Sequence, residues 1–173
     1  MKPTAIILIL AVAVASAMAG FYVSRTVVHG QHSVDAADAT PAFELAALDG
    51  SQVSNDDLRG RRVLINFWAT WCAPCRREMP ELMEAYDALD PGKATIIGIA
   101  VDEDQPVRDF VTEIGIDYPI LLAGDLTGTR LIRDFGNTQG LMPFSVVLDE
   151  EGNIETVKLG EVTRDEVLEL LSL

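Results

Sequence analysis

The stretch RVLINFWATWCAPC, residues 62–75, decides the fold of this 173-residue chain. Its first seven residues are a nearly continuous apolar run, which is typical of a strand buried on both faces of a sheet. Its end contains Cys72 and Cys75, the only two cysteines of the sequence. Apolar side chains then recur at three- and four-residue steps, which predicts a helix over residues 73–89. The sequence therefore predicts a strand, a short turn at residues 69–71, and a helix whose N-terminus lies at Cys72.

The spacing of the two cysteines predicts a redox-active disulfide. On the first turn of a helix, two such residues have Cα atoms within the roughly 4.4–6.8 Å that a disulfide requires. The bridge closes a very short loop, so it contributes little to stability and is readily reduced. A purely structural disulfide is therefore the weaker interpretation. A zinc half-site would need two further ligands, which the sequence does not offer at suitable spacing.

The two sulfur atoms are predicted to have different roles. Free backbone N–H groups and the helix dipole stabilise a thiolate at a helix N-terminus, where the pKa of a cysteine falls from about 8.5 to between ~3.5 and ~7.5. Cys72 occupies that position, so we expect it to be the attacking thiol. Cys75 lies one turn further into the helix, where it is more covered, and we expect it to be the resolving thiol.

The rest of the folded part alternates predicted strands and helices. A short hairpin over residues 43–53 and one helical turn at residues 55–60 precede the stretch quoted above. Further strands are predicted at residues 94–101, 118–122, 144–148 and 154–159, and further helices at residues 105–114, 126–135 and from Thr163, which forms a capping box with Glu166. This order predicts an α/β fold with a mixed central sheet, helices on both faces and an N-terminal β-hairpin extension.

The N-terminal segment, residues 5–23, contains no charged side chain. As a helix it would be about 28 Å long, which just spans the roughly 30 Å hydrocarbon core of a bilayer. A cleaved signal peptide is the alternative, because Ala15-Ser16-Ala17 and Ala17-Met18-Ala19 fit the small-x-small cleavage pattern. The apolar run continues past both sites to Val23, which favours a retained transmembrane helix. Either interpretation exports the rest of the chain.

We therefore expect an anchor in residues 1–25, a polar tether in residues 26–40 and the folded domain in residues 41–173. All 27 acidic residues and 11 of the 13 basic residues follow residue 25, so the exported part carries a formal charge of −16. This charge argues against nucleic acid as a partner, because phosphates are bound by Lys and Arg. His29 and His32 lie in the tether and are interpreted as linker residues, so we expect neither a metal ion nor a bound cofactor.

Residues 66–80, NFWATWCAPCRREMP, resemble the active-site segment of the TlpA/ResA group. These are thioredoxin-like reductases tethered in the bacterial periplasm or on the outer face of the membrane. Leu58-Arg59-Gly60 and Met142-Pro143-Phe144 also match, so the resemblance covers about residues 41–173. It implies a thioredoxin-like fold behind a single-pass anchor in the bacterial inner membrane, with the catalytic domain in the periplasm.

The resemblance also implies an activity and its partners. Members of the group are protein-disulfide reductases that reduce disulfides in exported clients, often apocytochromes c or copper-site proteins. The electrons would come from a thiol-reductant donor in the membrane.

Further site residues follow from the same resemblance. Glu78 matches the acidic residue of the group and lies three residues after Cys75 on the predicted helix, where a partly buried carboxylate could exchange a proton with that thiol. An exposed helix acid is the alternative. Pro143 matches a cis-proline that faces the disulfide, and Met142 and Trp71 accompany it in client binding. Asn66 stands where cytosolic thioredoxins carry a buried Asp.

Two other functions remain open at this point. A peroxidase of the peroxiredoxin type would place a Thr and a Pro around one peroxidatic cysteine, and Thr70 is the nearest match here. A copper-binding module could use the two soft thiolates. The usual copper-chaperone relative, however, has its cysteines four apart and adds a histidine, whereas no histidine follows His32.

The apolar N-terminal segment leads to the first prediction. We expect most of the protein to stay with membranes after high-salt and alkaline washing, because an uncleaved apolar segment of 19 residues inserts stably. Fractionation followed by intact-mass analysis measures this. A mature N-terminus at Met18 or Gly20 would contradict the anchor and leave the exported location intact.

Overall fold

A computed structural model describes residues 40–172. The predicted anchor and nearly all of the predicted tether lie outside these residues. Within the described part, no helix has the length and apolar character needed to cross a membrane.

Seven strands and four α-helices form residues 40–172. The strands are β1 (Glu44–Ala47), β2 (Gln52–Ser54), β3 (Arg62–Trp68), β4 (Ala94–Ala100), β5 (Ile120–Leu122), β6 (Phe144–Leu148) and β7 (Ile154–Leu159). The helices are α1 (Ala73–Ala88), α2 (Asp104–Ile114), α3 (Gly124–Asp134) and α4 (Arg164–Leu171), and a 3₁₀ turn covers Asn55–Leu58. Elements of the predicted types occupy nearly the predicted positions, although α3 begins two residues earlier than expected.

The strands form one mixed sheet in the order β2-β1-β5-β4-β3-β6-β7. Strands β3, β4 and β5 are parallel, and the other neighbouring pairs are antiparallel. The predicted mixed sheet is confirmed. The N-terminal hairpin does not stand apart from it, because β1 pairs with β5 and extends the sheet at that edge.

Side chains of β3 alternate between two apolar layers, as the two-residue period of a strand requires. Val63, Ile65 and Phe67 face the layer that contains α3 and the 3₁₀ turn. Leu64 and Trp68 face the opposite layer, which contains α1, α2 and α4 and includes both cysteines. Asn66 lies in phase with this second pair, so its polar side chain points toward α1.

Gly98 on β4 leaves the space that Trp68 occupies. Trp68 is fully buried at the end of the strand that leads to the cysteines, and its ring lies 5.6 Å from that of Phe110. A Cβ atom at Gly98 would lie 2.6 Å from Ile120 Cδ1 and 2.9 Å from Trp68 Nε1. Any side chain at this position therefore displaces the indole at the base of the active-site loop.

We expect Gly98→Ala to lower the free energy of unfolding by about 1–3 kcal/mol, because overpacking forces buried side chains to move. Urea denaturation measures the change. Gly92→Ala is the matched control, since a Cβ atom there meets nothing closer than Asp90 Oδ1 at 3.4 Å. A Gly98→Ala protein as stable as the control would show that the close approach is relieved without cost.

Candidate active site

The active-site loop leaves the sheet at the carboxyl end of β3. Trp68 ends the strand, residues 69–71 turn, and Cys72 is the N-cap of α1. The backbone N–H of Cys72 donates to the carbonyl of Ala69 at 3.1 Å and closes the turn. Pro74 lies in the first turn of α1, where its missing N–H removes no helical hydrogen bond. The predicted strand, turn and helix are confirmed.

A disulfide joins Cys72 and Cys75, whose Cα atoms are 5.3 Å apart. The sulfur of Cys72 also accepts the backbone N–H of Cys75 at 3.3 Å, so it takes the place that a capping oxygen has in other helices. Cys72 keeps 5% of its surface exposed, whereas Cys75 is fully buried. Cys72 is therefore the less covered residue of the pair.

Asp102 and Arg76 hold the loop from two sides. Asp102 lies two residues after β4, and its carboxylate accepts the backbone N–H of Thr70 at 2.9 Å as well as the Thr70 hydroxyl. Arg76 donates to the Thr70 carbonyl at 3.3 Å, and its guanidinium lies 4.6 Å from the centroid of the Phe110 ring. Charged groups on two elements thus fix the loop before Cys72. The Thr70 hydroxyl donates its hydrogen bond to the Asp102 carboxylate.

Glu78 is buried on α1, with 1% of its surface exposed. Its Oε1 accepts a hydrogen bond from Asn66 Nδ2 at 2.9 Å, and its Oε2 accepts one from the backbone N–H of Val162 at 3.0 Å. Asn66 Nδ2 also donates to Ser145 Oγ at 3.1 Å, because Asn66 and Ser145 are direct partners across β3 and β6. Glu78 is therefore an internal carboxyl group, and the alternative of an exposed helix acid is wrong.

Burial raises the pKa of Glu78 from its ordinary 4.5 to about 7, because desolvation disfavours the charged carboxylate. The hydrogen bonds from Asn66 and Val162 oppose this rise in pKa, as does the positive charge of Lys158, whereas the negative charge of Glu161 adds to it. The carboxyl consequently changes its charge near neutral pH, where a proton donor or acceptor is most effective.

The cis-proline segment lies at the same edge of the sheet as the active-site loop. The Met142-Pro143 peptide bond is cis, as the family resemblance implied. Phe144 pairs with Phe67 across β6 and β3, so the antiparallel register brings Pro143 to the end of β3. Met142 is half-buried and Pro143 is buried, whereas Trp71 before Cys72 is 67% exposed.

Residues 40–172 contain no group of three or more His, Cys, Asp and Glu side chains that could hold a metal ion. His29 and His32 lie outside the described residues.

Sequence reasoning missed three groups that complete the site. Two of these groups could have been found from the sequence, because each is a polar residue near an apolar buried strand. Ser145 lies within such a strand, and Asp102 follows one by two residues. The backbone N–H of Val162 could not have been found, because any residue except proline carries the same donor. Its contact with Glu78 depends on the path of the chain between β7 and α4.

A disulfide at the N-terminus of the helix after a central strand, with a cis-proline before the neighbouring antiparallel strand, defines a thioredoxin-like thiol–disulfide oxidoreductase. Comparison with known proteins agrees with this class. The Redoxin family model matches residues 35–171, and the chain belongs to the Redoxin family.

Similar proteins include a thiol-disulfide oxidoreductase and a thiol-disulfide isomerase. The chain is 33% identical over 128 residues to the thiol-disulfide oxidoreductase ResA of Bacillus thuringiensis (strain Al Hakam), which covers 73% of this chain and 71% of that protein. The structure of the present chain is similar to that of StoA from Bacillus subtilis, with a TM-score of 0.64 and 27% identity. The match covers 76% of this chain and 96% of StoA. The structure is also similar to that of a secreted thiol-disulfide isomerase from Corynebacterium glutamicum, with a TM-score of 0.67 and 31% identity over 76% and 82% of the two chains. The predicted resemblance and the predicted thiol–disulfide oxidoreductase activity are confirmed.

The raised pKa of Glu78 makes stability depend on pH. Between pH 4.5 and about 7 the folded protein keeps a proton on Glu78 that the unfolded chain has lost. The free energy of unfolding therefore falls as the pH rises through this window, by about 3 kcal/mol for this one group. We expect Glu78→Gln to remove that part of the pH dependence, as measured by urea denaturation of the oxidised protein from acid to alkaline pH.

Glu84→Gln serves as the control for this measurement. Glu84 lies on the same helix and is exposed to solvent, so its variant should keep the pH dependence of the wild type. A Glu78→Gln protein with the same slope as the control would refute the buried, proton-binding carboxyl.

Proposed function

We propose that this protein reduces disulfides in exported client proteins, outside the cytoplasm, by dithiol–disulfide exchange at Cys72 and Cys75. Glu78 serves as the proton acceptor for Cys75 in this scheme. The observation that carries the exchange chemistry is a buried carboxyl one helical turn after the buried member of a disulfide pair. A disulfide that only stabilised the fold would have no use for such a carboxyl.

The first step is attack of the reduced pair on the client. The thiolate of Cys72 forms a bond to one client sulfur, and the client disulfide breaks. The second client sulfur leaves as a thiolate and takes a proton from solvent. The position of Cys72 supports this role, because Cys72 is the less buried residue of the pair and the helix N-terminus favours negative charge there.

The second step releases the client. Cys75 gives its proton to the Glu78 carboxylate, and its thiolate attacks the sulfur of Cys72. The bond between Cys72 and the client breaks, the internal disulfide forms, and the remaining client sulfur leaves as a thiolate. Two electrons have then passed from the cysteine pair to the client. A dithiol donor, which we place in the membrane, must return them before the next cycle.

Trp71, Met142 and Pro143 are proposed to bind the client beside the disulfide. Support comes from the exposed ring of Trp71 and from the β3–β6 register, which brings residues 142 and 143 to the edge from which the active-site loop leaves. Leu141, which is 49% exposed, adds a further apolar side chain beside Met142. We call Trp71 and residues 141–143 the apolar rim. An extended segment of the client could lie along the rim with its disulfide over Cys72.

The reducing direction, the location and the clients rest on the family resemblance and on the N-terminal sequence. An apolar segment at residues 5–23 supports a single-pass anchor in the bacterial inner membrane with the catalytic domain in the periplasm. The clients proposed by the resemblance are apocytochromes c awaiting haem or copper-site proteins. The similar protein from Corynebacterium glutamicum is a secreted isomerase, which agrees with an exported location.

Single-cysteine variants test the assigned roles. After a disulfide substrate is added to the reduced protein, Cys75→Ser should accumulate a mixed disulfide through Cys72, because no resolving thiol remains. Cys72→Ser should form no adduct, because Cys75 is buried. Mass spectrometry of the two proteins measures the adducts. Equal adducts on both variants would refute the roles while leaving redox activity itself possible.

A further inference from the structure

Asn66 carries an unpartnered acceptor beside Glu78. Its side chain is fully buried on β3, and its Oδ1 has no hydrogen-bond partner among the described residues. The amide nitrogen, in contrast, has one acceptor for each of its two hydrogens, namely Glu78 Oε1 at 2.9 Å and Ser145 Oγ at 3.1 Å. A buried carbonyl without a donor is costly, so its presence next to a reacting group needs an explanation.

The two hydrogen bonds around Glu78 provide no acceptor for its protonated form. Oε1 faces an N–H of Asn66, and Oε2 faces the backbone N–H of Val162. A protonated carboxyl is itself a donor and needs an acceptor. The backbone N–H of Val162 is always a donor. Of these two partners, only the side-chain amide of Asn66 can change from donor to acceptor.

A side-chain amide reverses by turning about its last single bond, which exchanges its oxygen and nitrogen with little change in shape. In Asn66, the two lone pairs of Oδ1 would then face Glu78 Oε1 and Ser145 Oγ. Protonated Glu78 can donate to Oδ1, and the hydroxyl of Ser145 can turn to donate as well. Both contacts of the ionised form persist with donors and acceptors exchanged, and the amide nitrogen takes the buried position that Oδ1 has in the ionised form.

We propose that Asn66 is a positioning residue that reverses its amide whenever Glu78 gains or loses its proton, so that both forms of the carboxyl keep this hydrogen bond. The proposal rests on the proposed proton transfer from Cys75 to Glu78. The proton that leaves Cys75 Sγ binds Glu78, where the new O–H at Oε1 donates to Asn66 Oδ1. When Glu78 releases the proton, Asn66 Nδ2 donates to the carboxylate again.

The other charged and titratable groups near Glu78 have partners of their own. These groups are Lys158 on β7, Glu161 in the loop before α4, and Tyr118 before β5, whose pKa burial and the Glu78 charge both raise. Their partners are Glu166 for Lys158, Arg77 for Glu161 and the sulfur of Met79 for the Tyr118 hydroxyl. They influence the charge of Glu78 through space, and none of them hydrogen-bonds its carboxyl in the described part of the chain.

The pH profile of client release tests the coupling in the full-length protein. Under this proposal both forms of Glu78 lose a hydrogen bond in Asn66→Leu, and the bond to the charged carboxylate is the stronger of the two. The pH of half-maximal release from the Cys72 mixed disulfide should therefore rise, but by less than one unit. A disulfide-linked model peptide and stopped-flow mixing measure the rate. In the control Glu84→Gln, an exposed residue of the same helix is changed, and the midpoint should stay near that of the wild type. A rise of more than one unit in Asn66→Leu would mean that only ionised Glu78 has the hydrogen bond, and it would overturn the proposal.

Neutron diffraction of the wild-type full chain tests the reversal itself and does not depend on a variant that folds. Crystals are compared at about pH 5.5 and about pH 8.5, on either side of the pKa of Glu78. At the higher pH we expect deuterium on the Asn66 atom that faces Glu78, and at the lower pH deuterium on Glu78 pointing to Asn66 Oδ1. The same amide orientation at both values would overturn the proposal.

Glu78→Gln separates this proposal from the proposed function. If release from this variant loses the pH dependence of the wild type and the amide of the wild type does not reverse, only the reversal is wrong. If release from Glu78→Gln keeps the pH profile of the wild type, Glu78 does not accept the proton of Cys75, and both proposals are overturned at that step.

Discussion

Strand β3 must bury both of its faces, and its two-residue alternation then decides where the parts of the site can be. Apolar side chains on both sides hold the strand in the middle of the sheet between β4 and β6. Its carboxyl end consequently delivers Cys72 to the edge of the sheet, where α1 begins. The same alternation turns Asn66 toward α1, and the register with β6 sets Ser145 beside it. The polar network around Glu78 is thus a consequence of how an otherwise apolar strand is packed.

The elements that sequence reasoning located are those whose signal is local. A continuous apolar run specifies a strand buried on both faces, and two cysteines three apart specify a disulfide on a helical turn. The N-terminal hairpin was also visible as two short strands and a turn. The pairing of this hairpin with β5 could not be predicted, because β5 lies about 75 positions later in the chain. The residue pattern of a strand does not specify which strand it pairs with.

The polar contacts of the site divide in the same way. Glu78 was identified through the family resemblance, and its burial follows only from the packing of α1 and from the loop before α4. That loop is bound at two points: the N–H of Gly160 donates to the carbonyl of Pro143, and the N–H of Val162 donates to Glu78. Backbone donors leave no trace in the sequence. A residue pattern can therefore name a carboxyl as a candidate, whereas its pKa depends on a chain path that only the structure provides.

The burial of Glu78 depends on packing more than on the ion pair at the surface nearby. Arg77 and Glu161 form a two-bond contact across the loop, but both are exposed, and exposed pairs contribute little to stability. Val162, Val167 and Leu171 are buried in the same apolar cluster as both cysteines. Glu78 has 1% of its surface exposed, and this exclusion of water is the largest cause of its raised pKa. Two different physical effects thus act at the site: the helix N-terminus favours negative charge on Cys72, and burial raises the pKa of the carboxyl one turn after Cys75.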